Sequence, residues 1–255
     1  MIRTLAIYIY AGLLVLGTIF QLLRAKKLKK KLSHEQLFIQ PSRVSRKVFE
    51  RTGSTVEVYG QEKLPEGAVL FVANHQGLFD ILTILGYLGK PVGFIAKKEI
   101  KRLPIIAPWM ELIRCVFIDR KDRRQSVRSI NQGIENLRNG YSMVIFPEGT
   151  RSRGNQVYSF KSGSFRLALK AKVPIVPIAI DGTYRMLEEQ NGRVSPARVS
   201  LTIKDPIHPE EYAGMKSTEI AKKVEQIIRK QITQHQVQKE NHSVKPPHPP
   251  VNVQL

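Results

Sequence analysis

Residues 4–23, TLAIYIYAGLLVLGTIFQLL, form a run of twenty positions without a charge. At 1.5 Å of rise per residue, a helix of that length measures about 30 Å, the hydrocarbon thickness of a bilayer. A cleaved secretory leader has a shorter apolar stretch, about 7 to 15 residues, and a small-residue cleavage site. This run is longer and leads straight into Arg24-Ala25-Lys26-Lys27-Leu28-Lys29-Lys30-Lys31. An uncleaved membrane-anchoring helix is therefore expected. Six basic residues follow the run and only Arg3 precedes it. By the positive-inside rule, the remainder of the protein then lies on the cytoplasmic side of the cell membrane. A helical hairpin with residues 33–51, lying within one leaflet, satisfies the same sequence. The basic flank reads either as a solvated stop or as a contact to anionic headgroups, worth about 1 kcal/mol per residue.

Beyond residue 54 the pattern changes. Short β-branched and apolar runs recur at 55–59, 68–72, 92–96, 116–119, 143–146, 175–180 and 199–203. Helical stretches at 79–88, 100–112, 122–138, 160–171 and 216–235 lie between or after them. Such alternation predicts an α/β fold, a central mixed sheet of about seven strands covered by helices. No fixed period repeats, so neither a solenoid nor a propeller is expected. The organisation that follows is an anchor and basic amphipathic segment at 1–52, an α/β domain at 53–235, and a tail at 236–255. That tail contains Lys245-Pro246-Pro247-His248-Pro249-Pro250 and is expected to be disordered.

The formal net charge of +20 calls for an anionic partner: nucleic acid, anionic lipid or a phosphorylated substrate. No nucleic-acid-binding motif is recognisable, so nucleic acid is not expected as a partner. Cys115 is the only cysteine, which excludes an intramolecular disulfide and a cysteine metal cluster. It sits in an apolar strand and reads as a buried structural thiol. None of the six histidines stands at metal-ligand spacing with other ligands, so neither metal nor cofactor is expected.

Two stretches carry chemistry. In Asn74-His75-Gln76-Gly77-Leu78-Phe79-Asp80, an imidazole and a carboxylate lie five residues apart where a buried strand ends. On a straight helix they diverge by roughly 140°. Contact between them needs a turn, for which Gly77 supplies backbone freedom. A carboxylate on one imidazole nitrogen fixes the tautomer and leaves the other nitrogen as a base. A plain strand-to-helix junction capped by Asn74, with His75 solvated, reads equally well from these seven residues. The second stretch, Phe146-Pro147-Glu148-Gly149-Thr150-Arg151-Ser152-Arg153-Gly154, also follows an apolar run. Its glycines, hydroxyls and two arginines suit an anion, against the alternative of an ordinary polar loop. Lys97 and Lys98, and the pair Asp119-Arg120, end two further strands; taken alone they read as solvated lysines and a surface ion pair. There is no G-x-S-x-G elbow, no phosphate-binding G-x-x-x-x-G-K-[ST] loop and no H-E-x-x-H helix. A base without a protein nucleophile points to a substrate that supplies the attacking hydroxyl.

In this order, Asn74-His75…Asp80, Val116-Phe117-Ile118-Asp119-Arg120, Phe146-Pro147-Glu148-Gly149-Thr150-Arg151 and Val173-Pro174-Ile175-Val176-Pro177-Ile178 resemble the four motifs of the glycerolipid acyltransferases. The resemblance spans about residues 50 to 205 and is closest to the 1-acyl-sn-glycerol-3-phosphate acyltransferase branch. It implies transfer of an acyl group from acyl-CoA or acyl carrier protein to the sn-2 hydroxyl of lysophosphatidate at a membrane. It implies His75 as general base and Asp80 as its orienting partner, with no acyl-enzyme. Glu148, Gly149, Thr150 and Arg151 match the acceptor-binding block, with Arg151 on the phosphate. Arg120 and Lys97 (favoured over Lys98) would add positive charge to the same pocket. Pro177 would shape an acyl channel. Two departures stand out: Gly77 where the family often has serine, and Cys115 where glycine is frequent. Glycerol 3-phosphate or a lysophospholipid is an alternative acceptor. Charge and anchor alone also fit a non-catalytic basic module tethered to a membrane.

Overall fold

The β-branched runs become seven strands: β1 Thr55–Tyr59, β2 Leu70–Ala73, β3 Gly93–Lys97, β4 Val116–Ile118, β5 Met143–Ile145, β6 Ile175–Asp181 and β7 Arg198–Ile203. The structure, a computed structural model, describes residues 1–243, with side chains as far as Val237. The strands form one sheet in the order β1-β7-β6-β2-β5-β3-β4. Every pairing is parallel except β6 with β7, so the sheet is mixed. All residues of β2, β5 and β6 are buried, which explains why they read as unbroken apolar runs rather than alternating ones.

Helices cover both faces. On one, α3 His34–Arg51 and α4 Phe79–Tyr87 pack together, bringing Phe38, Phe49, Phe79 and Ile84 into one cluster with Phe71 and Val144. On the other, α6 Arg123–Arg138, α7 Arg166–Ala171 and α8 Ser217–Ser243 contribute Leu137, Leu167, Val224 and Ile228 against Leu70 and Ile145. Cys115 accepts from the Phe94 amide at 3.2 Å, and burial pushes its thiol up to about 12, as suits an inert core sulfur.

Three helical segments differ from the sequence reading. The stretch 100–112 divides into a single-turn 3-10 helix at Lys98–Arg102 and α5 Ile106–Leu112. Pro104 is the cause, since it holds Leu103 extended. The stretch 160–171 likewise opens as a 3-10 turn, Ser162–Phe165, before α7; its glycine and serines are weak helix formers. At the other end of the chain, α8 continues past 235 to Ser243, and the proline-containing part of the tail lies outside the described residues.

The N-terminal run Ile2–Leu28 is long and apolar enough to cross a membrane. It is interrupted, however, into α1 Ile2–Leu16 and α2 Ile19–Leu28. At the interruption both the amide and the hydroxyl of Thr18 donate back to the Val15 carbonyl, at 3.0 and 2.7 Å. Both ends touch the α/β body. Near the start, Arg3 donates to the Thr52 carbonyl at 2.7 Å, the Val194 amide donates to Thr4 at 3.0 Å, and Ile7 is buried. Farther on, Trp109 Nε1 donates to Thr18 at 3.0 Å, and Leu22 and Ala25 pack with Leu37 and Leu112. Leu5, Ile9, Leu13, Phe20 and Leu23 face outward. A capping box between Ser33 and Gln36 starts α3, against which α1 lies.

Candidate active site

Strands β2 to β6 are mutually parallel, so the segments that follow them emerge along one edge of the sheet. That edge is where open α/β sheets bind ligands. His75 follows β2, Lys97 ends β3, Arg120 follows β4, and Glu148 to Arg151 follow β5.

His75 and Asp80 touch. Nδ1 lies 2.7 Å from Asp80 Oδ2, and the Asp80 side chain is fully buried. The same Oδ2 accepts from the Gly77 amide at 2.9 Å, and Oδ1 accepts from the Thr183 hydroxyl. Three groups thus meet the Asp80 carboxyl, and Nδ1 rather than Nε2 of the imidazole is the nitrogen it engages. The imidazole stacks on Phe146 at 4.2 Å between ring centroids, which restricts its rotation. Asn74 is not a helix cap: its side chain both donates to and accepts from the Ile180 backbone, at 2.8 Å each, and ties this turn to β6.

Three carboxylates hold the turn by its amides. Glu148 Oε1 accepts from His75 N–H at 2.6 Å, Asp80 from Gly77 N–H, and Glu188 Oε1 from Leu78 N–H at 2.9 Å. Glu148 Oε2 takes the Tyr158 amide at 2.8 Å, so both of its oxygens are spent inside the protein and its side chain is buried. Burial raises its carboxyl to about 7, against the pull of those two N–H groups. Carbonyls of the turn are taken as well: Ser152 N–H donates to His75 at 2.8 Å and Arg153 N–H to Gln76 at 3.1 Å.

The cations divide into two surroundings rather than one. Arg120 donates from Nη1 to the Gly149 carbonyl; at Gly149 (φ +75°) a Cβ would lie 2.7 Å from Lys161 Nζ. Arg120, Arg123, Lys161 and Arg166 edge a cleft of about 360 Å³ that Ile118 and Phe146 also line. Arg151 instead pairs with Glu188, Nη1 to Oε1 at 2.9 Å. Thr150 is exposed beside it. Lys98 is committed to Asp119, whose carboxyl it holds below the usual range, while Lys97 stands exposed at the end of β3. Pro177 is buried within β6, opposite Val72, and so is part of the sheet. Among the described residues, no group of three or more His, Cys, Asp or Glu side chains is placed to hold a metal ion.

Gly77 corrects the sequence reading. Its φ is not in the left-handed region, so the turn does not need a glycine for its backbone. What it needs is space: a Cβ there would lie 2.5 Å from Glu188 Oε2. Thr183, Lys161 and Glu188 were not singled out from sequence. Thr183 follows β6 in Asp181-Gly182-Thr183, a strand-end turn that resembles many others.

A buried carboxylate bonded to an imidazole thus lies at the edge of a largely parallel sheet, with cations on the neighbouring strand ends. The family profile described as acyltransferase matches residues 55–181, and the chain belongs to that family. It is similar to a probable 1-acyl-sn-glycerol-3-phosphate acyltransferase of Mycoplasma pneumoniae, 36% identical over 184 residues that cover 68% of this chain and 69% of the relative. A 1-acyl-sn-glycerol-3-phosphate acyltransferase of Saccharomyces cerevisiae is 34% identical over 176 residues, and there the match spans 58% of the relative's length. The crystal structure of the 1-acyl-sn-glycerophosphate acyltransferase PlsC from Thermotoga maritima superposes with a TM-score of 0.79 at 28% identity, covering 92% of this chain and 97% of that one.

Proposed function

We propose that this chain transfers an acyl group from an acyl thioester to the sn-2 hydroxyl of lysophosphatidate, forming phosphatidate. The observation that carries the reading is the His75–Asp80 pair, in which one imidazole nitrogen is fixed by a buried, saturated carboxylate. Nε2 of His75 takes the proton of the acceptor hydroxyl as its oxygen attacks the thioester carbonyl. The C–O bond forms, the C–S bond breaks, and the imidazolium returns its proton to the departing thiolate. Asp80 stabilises the imidazolium in between. Arg151, Arg120, Lys97 and Thr150 serve the acceptor's phosphate, while Glu148 and Gly149 hold the loops that present His75 and the cations.

The donor is acyl-CoA or acyl carrier protein; both carry the acyl group as a thioester of a phosphopantetheine group. The enzyme works at the cytoplasmic face of the cell membrane. Contacts from both ends of the interrupted N-terminal helix to the α/β body support an arrangement in which that helix lies in one face of the bilayer rather than running straight across it.

The test is an assay of detergent-solubilised protein with lysophosphatidate and each donor in turn. Phosphatidate should form, and His75→Ala should reduce turnover by about 10²–10⁴-fold. Near-normal turnover by His75→Ala would sink the base assignment. Preference for glycerol 3-phosphate or lysophosphatidylcholine would move the acceptor, and anion binding without thioester consumption would leave only a tethered binding module.

A further inference from the structure

We infer that Glu188 is a positioning residue for the acceptor: it fixes Arg151 against the His75 turn, and position 77 is a glycine to leave it room. This rests on the acyltransfer reading above, and it assigns a part to a residue outside the four motifs.

Geometry carries the inference in three steps. First, Glu188 Oε1 receives both the Leu78 amide and Arg151 Nη1, each at 2.9 Å. Leu78 is the residue that leads into α4, so this oxygen is tied to rigid backbone. The Glu188 side chain is 5% exposed and that of Arg151 is 38% exposed. The pair thus has a fixed buried end and a guanidinium that reaches toward solvent, with one of its nitrogens bound and its other donors available to an anion. Second, the three atoms nearest to a Cβ placed on Gly77 all belong to Glu188: Oε2 at 2.5 Å, Cδ at 3.0 Å and Oε1 at 3.2 Å. No backbone strain calls for glycine there. Any side chain at 77 must therefore move Glu188. Third, Glu188 Oε2 is buried and has no hydrogen-bond partner. A buried unpaired acceptor is costly, and a shorter or apolar side chain at 188 would avoid the cost. What such a side chain could not do is hold the Arg151 charge in place.

Kinetics of the full-length protein with lysophosphatidate as acceptor test this. Glu188→Gln keeps an oxygen for the Leu78 amide but loses the charge, so acceptor KM should rise about 5- to 10-fold while kcat holds within about twofold and donor KM is unchanged. Gly77→Ala should reproduce that split by displacing Glu188. In a Glu188→Ala background, Gly77→Ala should add less than about twofold, because the collision is gone. A fall in acceptor KM for Glu188→Gln would mean that Glu188 only screens Arg151, and would overturn the inference. So would additive effects of Gly77→Ala and Glu188→Ala, or a loss of kcat and melting temperature together with no KM split. Wild-type protein that fails to acylate lysophosphatidate would remove the functional reading and this inference with it. An active wild type whose acceptor KM is untouched by Glu188→Gln would remove the inference alone.

Discussion

Asp80 and Glu188 accept from adjacent amides of one turn, Gly77 and Leu78, yet they are differently finished. Asp80 is fully buried, both of its oxygens are partnered, and one of them faces His75. Glu188 keeps one oxygen unpaired and faces an arginine that reaches solvent. On the proposed function, a carboxylate saturated from within serves a group whose orientation must not vary during proton transfer, and a half-satisfied one serves a cation that shares itself with an incoming phosphate. The difference separates rate from affinity, and substitutions can break it.

The largest effect is expected from Asp80→Asn, which frees the imidazole tautomer: kcat should fall by about 10²–10⁴-fold with little change in acceptor KM. A loss confined to acceptor KM would put Asp80 and Glu188 in the same role. Next comes Thr183→Val, which removes the hydroxyl donor from Asp80 Oδ1 and leaves that oxygen unpartnered. It should lower kcat by about tenfold, with Thr183→Ser largely restoring it, since a buried acceptor left unmade costs about 1–3 kcal/mol. Rescue by Ser failing while melting temperature is normal would argue against the hydroxyl. The smallest catalytic effect belongs to Glu148→Gln, which turns an amide N–H₂ toward one of two backbone donors. It should cost about 1–3 kcal/mol of stability, read as a few degrees in melting temperature.

Glu148 also has a pH signature. Its folded carboxyl is raised from an ordinary 4.5 to about 7, so the folded state holds that proton more tightly than the unfolded chain does. The stability it contributes is complete below about pH 4.5 and is lost as pH rises through about 7. The melting-temperature gap between wild type and Glu148→Gln should therefore narrow over that window; a widening gap would show that the two amide donors outweigh burial.

The strands were legible because β-branched apolar runs bounded by polar residues have few other ways to be buried. The pairing of His75 with Asp80 was legible only as a condition, since spacing says that contact needs a turn and not that the turn forms. Local rules offer capping for Asn74 and backbone freedom for Gly77, whereas here both answer to partners over a hundred positions away, Ile180 and Glu188. Lys161 is one of 41 basic residues and had no local mark to distinguish it. The interruption at Thr18 is not legible in hydropathy, which measures how apolar a stretch is and not whether its hydrogen bonding is continuous.

Phe49 of α3 meets Phe79 of α4 edge to face, 6.0 Å between ring centroids, and Phe79 is the residue before Asp80. There is no seam at residue 52 along which a membrane-free enzyme could be cut. Trimming the chain there would pull a fully buried ring from beneath the helix that carries Asp80, so a shortened chain should lose stability and, with it, the proposed catalysis. A form with a less apolar surface calls instead for polar side chains at Leu5, Ile9, Leu13 and Phe20, leaving the inward side of the same helices untouched.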